Sequence, residues 1–152
     1  MIVGIDQSFT STAVVATSAK GIVAHSVISS NKTDDIYTRA AHIAREVMLF
    51  VGAHKPSKVI IEGLAFGSTG DSTRNLAGLQ MLIICQLRSN GYTVQIVPPT
   101  TLKKFATGKG NASKQDMHTA LPDVESKILS VHKKTKGLYD ICDAYWLSTY
   151  KI

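Results

Sequence analysis

Hydrophobic positions early in the chain fall into three short blocks, Met1–Ser8, Ser11–Ser18 and Gly21–Ser29, rich in Ile, Val, Ala, Ser and Thr. Blocks of this length and composition predict β-strands, and the break at Ala19-Lys20-Gly21 predicts a hairpin turn between the last two. The period then changes. Ile36, Ala40, Ile43, Val47 and Phe50 recur at helical spacing after Asp34-Asp35, which predicts an amphipathic helix ended by Pro56. Lys58–Glu62 reads as a short apolar strand and Gly63–Gly70 as a flexible loop. Asp71 or Ser72 can cap a second helix running to about Asn90, with Gly91 as its stop. Thr93–Val97 is a further strand, closed by Pro98-Pro99. Beyond it the pattern is helical but interrupted: Thr100–Thr107, a loop at Gly108-Lys109-Gly110, Ser113–Leu121, and a last helix over Tyr139–Tyr150. The lysine-rich segment Asp123–Tyr139 carries no signature of its own. The order βββ-α-β-α-β-α predicts an α/β fold, a mixed sheet with helices packed on it.

The second helix is apolar nearly all round. Leu76, Leu79, Ile83 and Leu87 form one stripe, and Ala77, Met81, Ile84 and Cys85 fill much of the rest. Such a helix needs cover on both sides. The sheet supplies one; a second subunit or the last helix supplies the other.

Composition narrows the class. With 152 residues, 44% hydrophobic and 18% charged, the chain reads as one packed domain over 1–152. No apolar run approaches the roughly 18 residues of a membrane span, and no signal pattern opens the chain. Cys85 and Cys142 form no C-x-x-C pair and the histidines have no zinc spacing, which fits reduced thiols in a cytoplasmic protein. The net charge of +6 is uneven: residues 99–136 hold eight Lys against three acids. A solvated basic face accounts for this as well as a polyanion partner does, and a pI of about 9.4 permits nucleic acid.

Four carboxylates stand in apolar surroundings. Asp6 ends Ile2-Val3-Gly4-Ile5, Glu62 ends Val59-Ile60-Ile61, and Asp140 and Asp143 lie three apart on the last helix, hence on one face. Each alone reads equally well as a loop residue or a helix cap. Together they suggest more: if the first and fourth strands are parallel neighbours, Asp6 and Glu62 emerge side by side. Clustered carboxylates repel unless a cation neutralises them, and hard oxygen ligands without Cys or His select Mg²⁺ or Mn²⁺. Two such ions about 3.5–4 Å apart suit phosphodiester hydrolysis.

Gly4-Ile5-Asp6, Ile61-Glu62 and Asp140-x-x-Asp143-Ala144 resemble the four-carboxylate signature of the RuvC-type Holliday junction resolvases. Lys103 to Lys114 resembles that family's K-x4-G-x-G-x-A-x-K stretch with the same spacing, and the Asp71–Ile84 helix also follows its pattern. The resemblance implies an RNase H-like mixed five-stranded sheet flanked by helices. It implies a homodimer that cuts branched DNA, four-way junctions above all, with two Mg²⁺ ions per active site or Mn²⁺ in their place. Carried over, Asp6, Glu62, Asp140 and Asp143 are the metal ligands, and Lys114 assists catalysis near the scissile phosphate. Lys103, Lys104, Lys109 and Lys114 contact DNA, and Phe66 is the candidate wedge against bases at the crossover. Two departures stand out: Asp6-Gln7-Ser8 replaces the family's usual D-P-G, and Phe66 lies one residue later than the common spacing. So lean a chain resembles phage-encoded members more than cellular ones.

Three alternatives differ in kind. Another RNase H-like nuclease, acting on RNA–DNA hybrid or structured RNA, shares the acids but not the lysine-glycine stretch. An actin-like ATPase or sugar kinase opens with a similar strand-Asp-turn but needs a second domain and phosphate loop. A junction binder that no longer cuts has no need of all four acids.

Overall fold

The predicted strands form, drawn in at their ends, and so do the long helices. In the computed structural model, which describes residues 1–65, 70–133 and 137–151, the chain opens with β1 (Ile2–Asp6), β2 (Thr12–Ser18), β3 (Gly21–Ile28), α1 (Ile36–His54) and β4 (Lys58–Glu62). It continues with α2 (Asp71–Ser89), β5 (Val94–Val97), α3 (Pro99–Thr107), α4 (Lys114–Thr119), α5 (Asp123–Leu129) and α6 (Leu138–Thr149). The sheet order is β3-β2-β1-β4-β5. β1 pairs antiparallel with β2 and β2 with β3, whereas β1–β4 and β4–β5 are parallel. This is the expected mixed five-stranded sheet of the RNase H-like class.

Strand alternation sends successive side chains to opposite faces of the sheet. Val3, Ile5, Val14, Ala16, Val59 and Ile61 face one way and pack on α1 and α2. Ala13 and Val15 face the other way, onto Ile141, Ala144 and Tyr145 of α6. Ile60 meets Leu147 of α6, Leu102 of α3 and Met117 of α4 on that same side. Gly4 makes this second layer close: a Cβ there would lie 2.0 Å from the Ala144 carbonyl oxygen and 2.5 Å from the Ser148 nitrogen. Only a residue without a side chain lets α6 come down onto β1.

Two expectations are corrected, and one unforeseen helix appears. Neither Asp71 nor Ser72 caps α2: Gly70 is the N-cap, without a side-chain bond, and Asp71 is already helical and paired with Arg74 at 3.1 Å. A carboxylate in the first turn still favours the helix dipole. Residues 123–129, left without a signature, form α5, a helix too short to print a buried stripe; Leu129 is its buried residue. The last helix does not cover α2, because α6 and α2 lie on opposite faces of the sheet. Leu79, Ile83 and Leu87 of α2 are buried, while Ala77, Met81 and Cys85 remain exposed, Met81 by 62%.

Candidate active site

Strand parity builds the site. Counting from buried Gly4 and Ile60, Asp6 and Glu62 fall on the face that carries α6, and the parallel register, ending at Ile5 opposite Ile61, brings them side by side. The approach of α6 then adds Asp140 and Asp143 from its first two turns. α4 adds Lys114 as its first residue, because Ser113 and Asp116 form a capping box that sets where the helix begins. α3 ends in a left-handed turn at Gly108, φ 80°, and contributes Lys103. The six side chains Asp6, Glu62, Asp140, Asp143, Lys103 and Lys114 line one cleft of about 390 Å³.

The cleft is electrostatically costly as it stands. Burial, followed by the charges of Glu62, Asp143 and Asp140, pushes the Asp6 carboxyl well above its ordinary value, with Lys114 opposing. Burial also raises Glu62, against Lys114 and a hydrogen bond with Asp6 that draw it down. Asp143, only 9% exposed, is pushed up to about 7 by burial and then by Glu62. Its Oδ1 is buried without a hydrogen-bond partner among the described residues. Lys114 lies with Nζ 3.5 Å from Asp140 Oδ1. Burial opposes its charge, but Asp140, Asp143 and Asp6 hold the ammonium above its ordinary value.

These features fit a divalent cation. Acidic oxygens, one of them orphaned, are the donor set that hard cations take, and a cation would offset the burial and the mutual repulsion that raise Asp6 and Asp143. Among the described residues no three acids already close on a common point as ligands. They line the cleft, with Lys114 paired to Asp140.

Sequence reasoning missed the groups that hold the acids. Ser11 Oγ donates to Asp140 Oδ2 across 129 positions of sequence. Gln7 and Gln80 both donate to the Glu62 carbonyl oxygen, at 3.0 and 2.8 Å, which pins the end of β4. Gln7 is the residue that departs from the usual family turn, and its Oε1 is buried without a hydrogen-bond partner among the described residues. The mostly polar stretch Gln7 to Thr12, broken by Phe9, was the available signal for Ser11 and Gln7; nothing local marks Gln80. Of the other predicted residues, Lys104 is exposed, and Lys109 lines a separate depression with Asp116 and Thr119. Phe66 lies outside the described residues.

A mixed sheet in this order, with acids at the ends of its parallel central strands and on the helix covering them, defines an RNase H-like protein with a nuclease-type carboxylate cleft. The model of the family described as "Crossover junction endodeoxyribonuclease RuvC" matches residues 2–148, and the chain belongs to that family. It is 29% identical over 126 residues to the protein of that name from Bdellovibrio bacteriovorus, which covers 83% of this chain and 71% of the relative. The corresponding match to the Sorangium cellulosum protein is 26% identical over 92 residues and spans 51% of that relative's length. Among solved structures, Thermus thermophilus RuvC in complex with Holliday junction substrate superposes with a TM-score of 0.76 at 18% identity, over 98% of this chain and 92% of that one.

Proposed function

We propose that the chain is a divalent-metal-dependent endonuclease that resolves four-way and related branched DNA junctions by hydrolysing phosphodiesters on two strands. The observation that carries this reading is the convergence, in a RuvC family chain, of Asp6, Glu62, Asp140 and Asp143 with Lys114 and Lys103 in one cleft. Asp6, Glu62, Asp140 and Asp143 hold the metal, Mg²⁺ with Mn²⁺ able to substitute, as two ions per site. When bound, such ions supply Lewis-acid activation for phosphodiester hydrolysis. Ser11 and Lys114 orient Asp140, while Gln7 and Gln80 steady the backbone of Glu62. Lys114 and Lys103 attract the scissile phosphate, and Lys114 stabilises charge developing there in the transition state. Lys104, Lys109 and Phe66 extend the contact with DNA.

Cutting a four-way junction symmetrically calls for two active sites related by a two-fold axis, so we place residues 1–152 as one catalytic domain within a homodimer. The exposed Ala77, Met81 and Cys85 of α2 supply an apolar seam for it. Among the described residues no helix is long and apolar enough to cross a membrane, and action on DNA in the cytoplasm fits this.

The test is incubation of the protein with a synthetic four-way junction, a fork, a duplex and an RNA–DNA hybrid in Mg²⁺, Mn²⁺ or EDTA. The expected result is paired cuts in the junction that require a divalent cation and vanish in Asp6→Asn, while junction binding survives. Preferred cleavage of the hybrid would favour the other nuclease reading, and cleavage in EDTA would end the metal mechanism.

A further inference from the structure

Outside the active-site cleft the larger cavity in view lies along the free edge of the sheet. β3 is an edge strand, and a groove of about 770 Å³ runs between it, the β1–β2 turn, residues 131–133 after α5 and Gly137 before α6. Its lining mixes the apolar Val27 and Val131 with the hydroxyl residues Thr10, Ser11, Ser26 and Ser29, and Lys32 and Lys133 bring ammonium groups to it. Among the described residues no carboxylate lines it. One wall is tied shut by an imidazole–imidazole hydrogen bond, His25 Nδ1 to His132 Nε2 at 2.9 Å, which joins β3 to the segment after α5. Burial lowers the pKa of both rings, so they are uncharged at neutral pH and the bond, which needs one ring's N–H and the other's lone pair, persists. The groove also adjoins the active site: Ser11 lines it and at the same time holds Asp140, which lines the cleft.

From this geometry we infer a second nucleic-acid site, in which the edge groove receives the phosphodiester backbone of a DNA strand leaving the catalytic cleft, with Lys32 and Lys133 neutralising its phosphates. Hydroxyl residues and two ammonium groups in one groove, with no acid among its described lining residues, suit the phosphates of a nucleic-acid strand. It does not match an acidic metal site, and an extended peptide added to β3 would not need the two cations. The inference rests on the nuclease reading for the direction of the strand, because it starts the track at Asp140.

The measurement is the salt dependence of binding to a four-way junction and to plain duplex, by fluorescence anisotropy in EDTA so that nothing is cut. Lys32→Ala/Lys133→Ala is compared with Lys20→Ala/Lys58→Ala, a pair that removes the same charge from the opposite end of the sheet, beside Ser18 and Ile2. Two lost phosphate contacts lower the slope of log K against log salt by about two. That drop is expected in the groove pair and less than half of it in the distant pair. Ser29→Cys carrying a photocrosslinker is expected to capture the DNA, which checks location without altering the lysines. Equal slopes in the two lysine variants, or absence of capture, overturn the proposal. Because duplex is measured beside the junction, failure of the wild type to prefer the junction counts against the resolvase reading separately from the groove.

Discussion

At the scale of single residues, Lys114 and Asp143 carry the sharpest expectations. Lys114 sits 3.5 Å from the Asp140 carboxylate and lines the cleft, whereas Lys104 is exposed outside it. Lys114→Ala should therefore slow single-turnover junction cleavage about a hundredfold, on the order of 3 kcal/mol of barrier, with a much smaller loss of affinity. Lys104→Ala should instead weaken binding and lower the salt slope by about one unit. Equal small effects of both on rate would reduce Lys114 to general attraction. Asp143 keeps its proton in the folded state to about pH 7, against an ordinary value of 3.8. In the metal-free protein its contribution to stability is thus complete below about pH 4 and is lost as pH rises to 7. His25 and His132, lowered by burial, act in the opposite direction near pH 6.5. The readout is therefore the difference in Tm between wild type and Asp143→Asn in EDTA, which should shift in favour of the variant from pH 5 to pH 8. Added Mg²⁺ should stabilise the wild type more at the upper end, since a ligand carboxylate must be ionised.

Among the elements, α6 matters most because it brings half of the acids to the sheet. Its approach depends on Gly4, where a methyl group would collide with helix backbone rather than with a side chain able to move. Gly4→Ala should cost about 3 kcal/mol in a urea titration and weaken metal-induced stabilisation as well, because Asp140 and Asp143 move away with the helix. Unchanged stability would mean that the layers yield more readily than this packing implies. Period and termini made α1 legible: Asp35 caps it, accepting from the nitrogens of Tyr37 and Thr38, and it ends at His54. α5 was not legible, since seven residues with Val124 exposed by 65% leave no stripe to read.

For the whole molecule, the question is what covers the outer face of α2. Ala77, Met81 and Cys85 recur every fourth residue or so, hence on one side of the helix, and α6 lies beyond the sheet from them. Light scattering should give a mass of roughly twice 16.4 kDa for the wild type and one chain's mass for Met81→Glu, with paired cuts becoming single nicks. A wild-type monomer both free and on a junction would remove the two-fold arrangement.

The sequence by itself determined what is local: strand positions, the long helices, and acids at the ends of apolar strands where their cost is visible against the neighbours. The lysine-glycine stretch was equally local, and with the acids it carried the resemblance to the family. Only the tertiary structure decided which helix covers which face, since a periodic stripe records that a side is buried but not what lies against it. It alone brought Ser11 to Asp140 and Gln80 to the Glu62 carbonyl, contacts that are set by packing between distant segments. It also opened the groove along β3, whose hydroxyls, lysines and paired imidazoles are scattered from Thr10 to Lys133 and meet only because the segment after α5 folds back onto the edge strand.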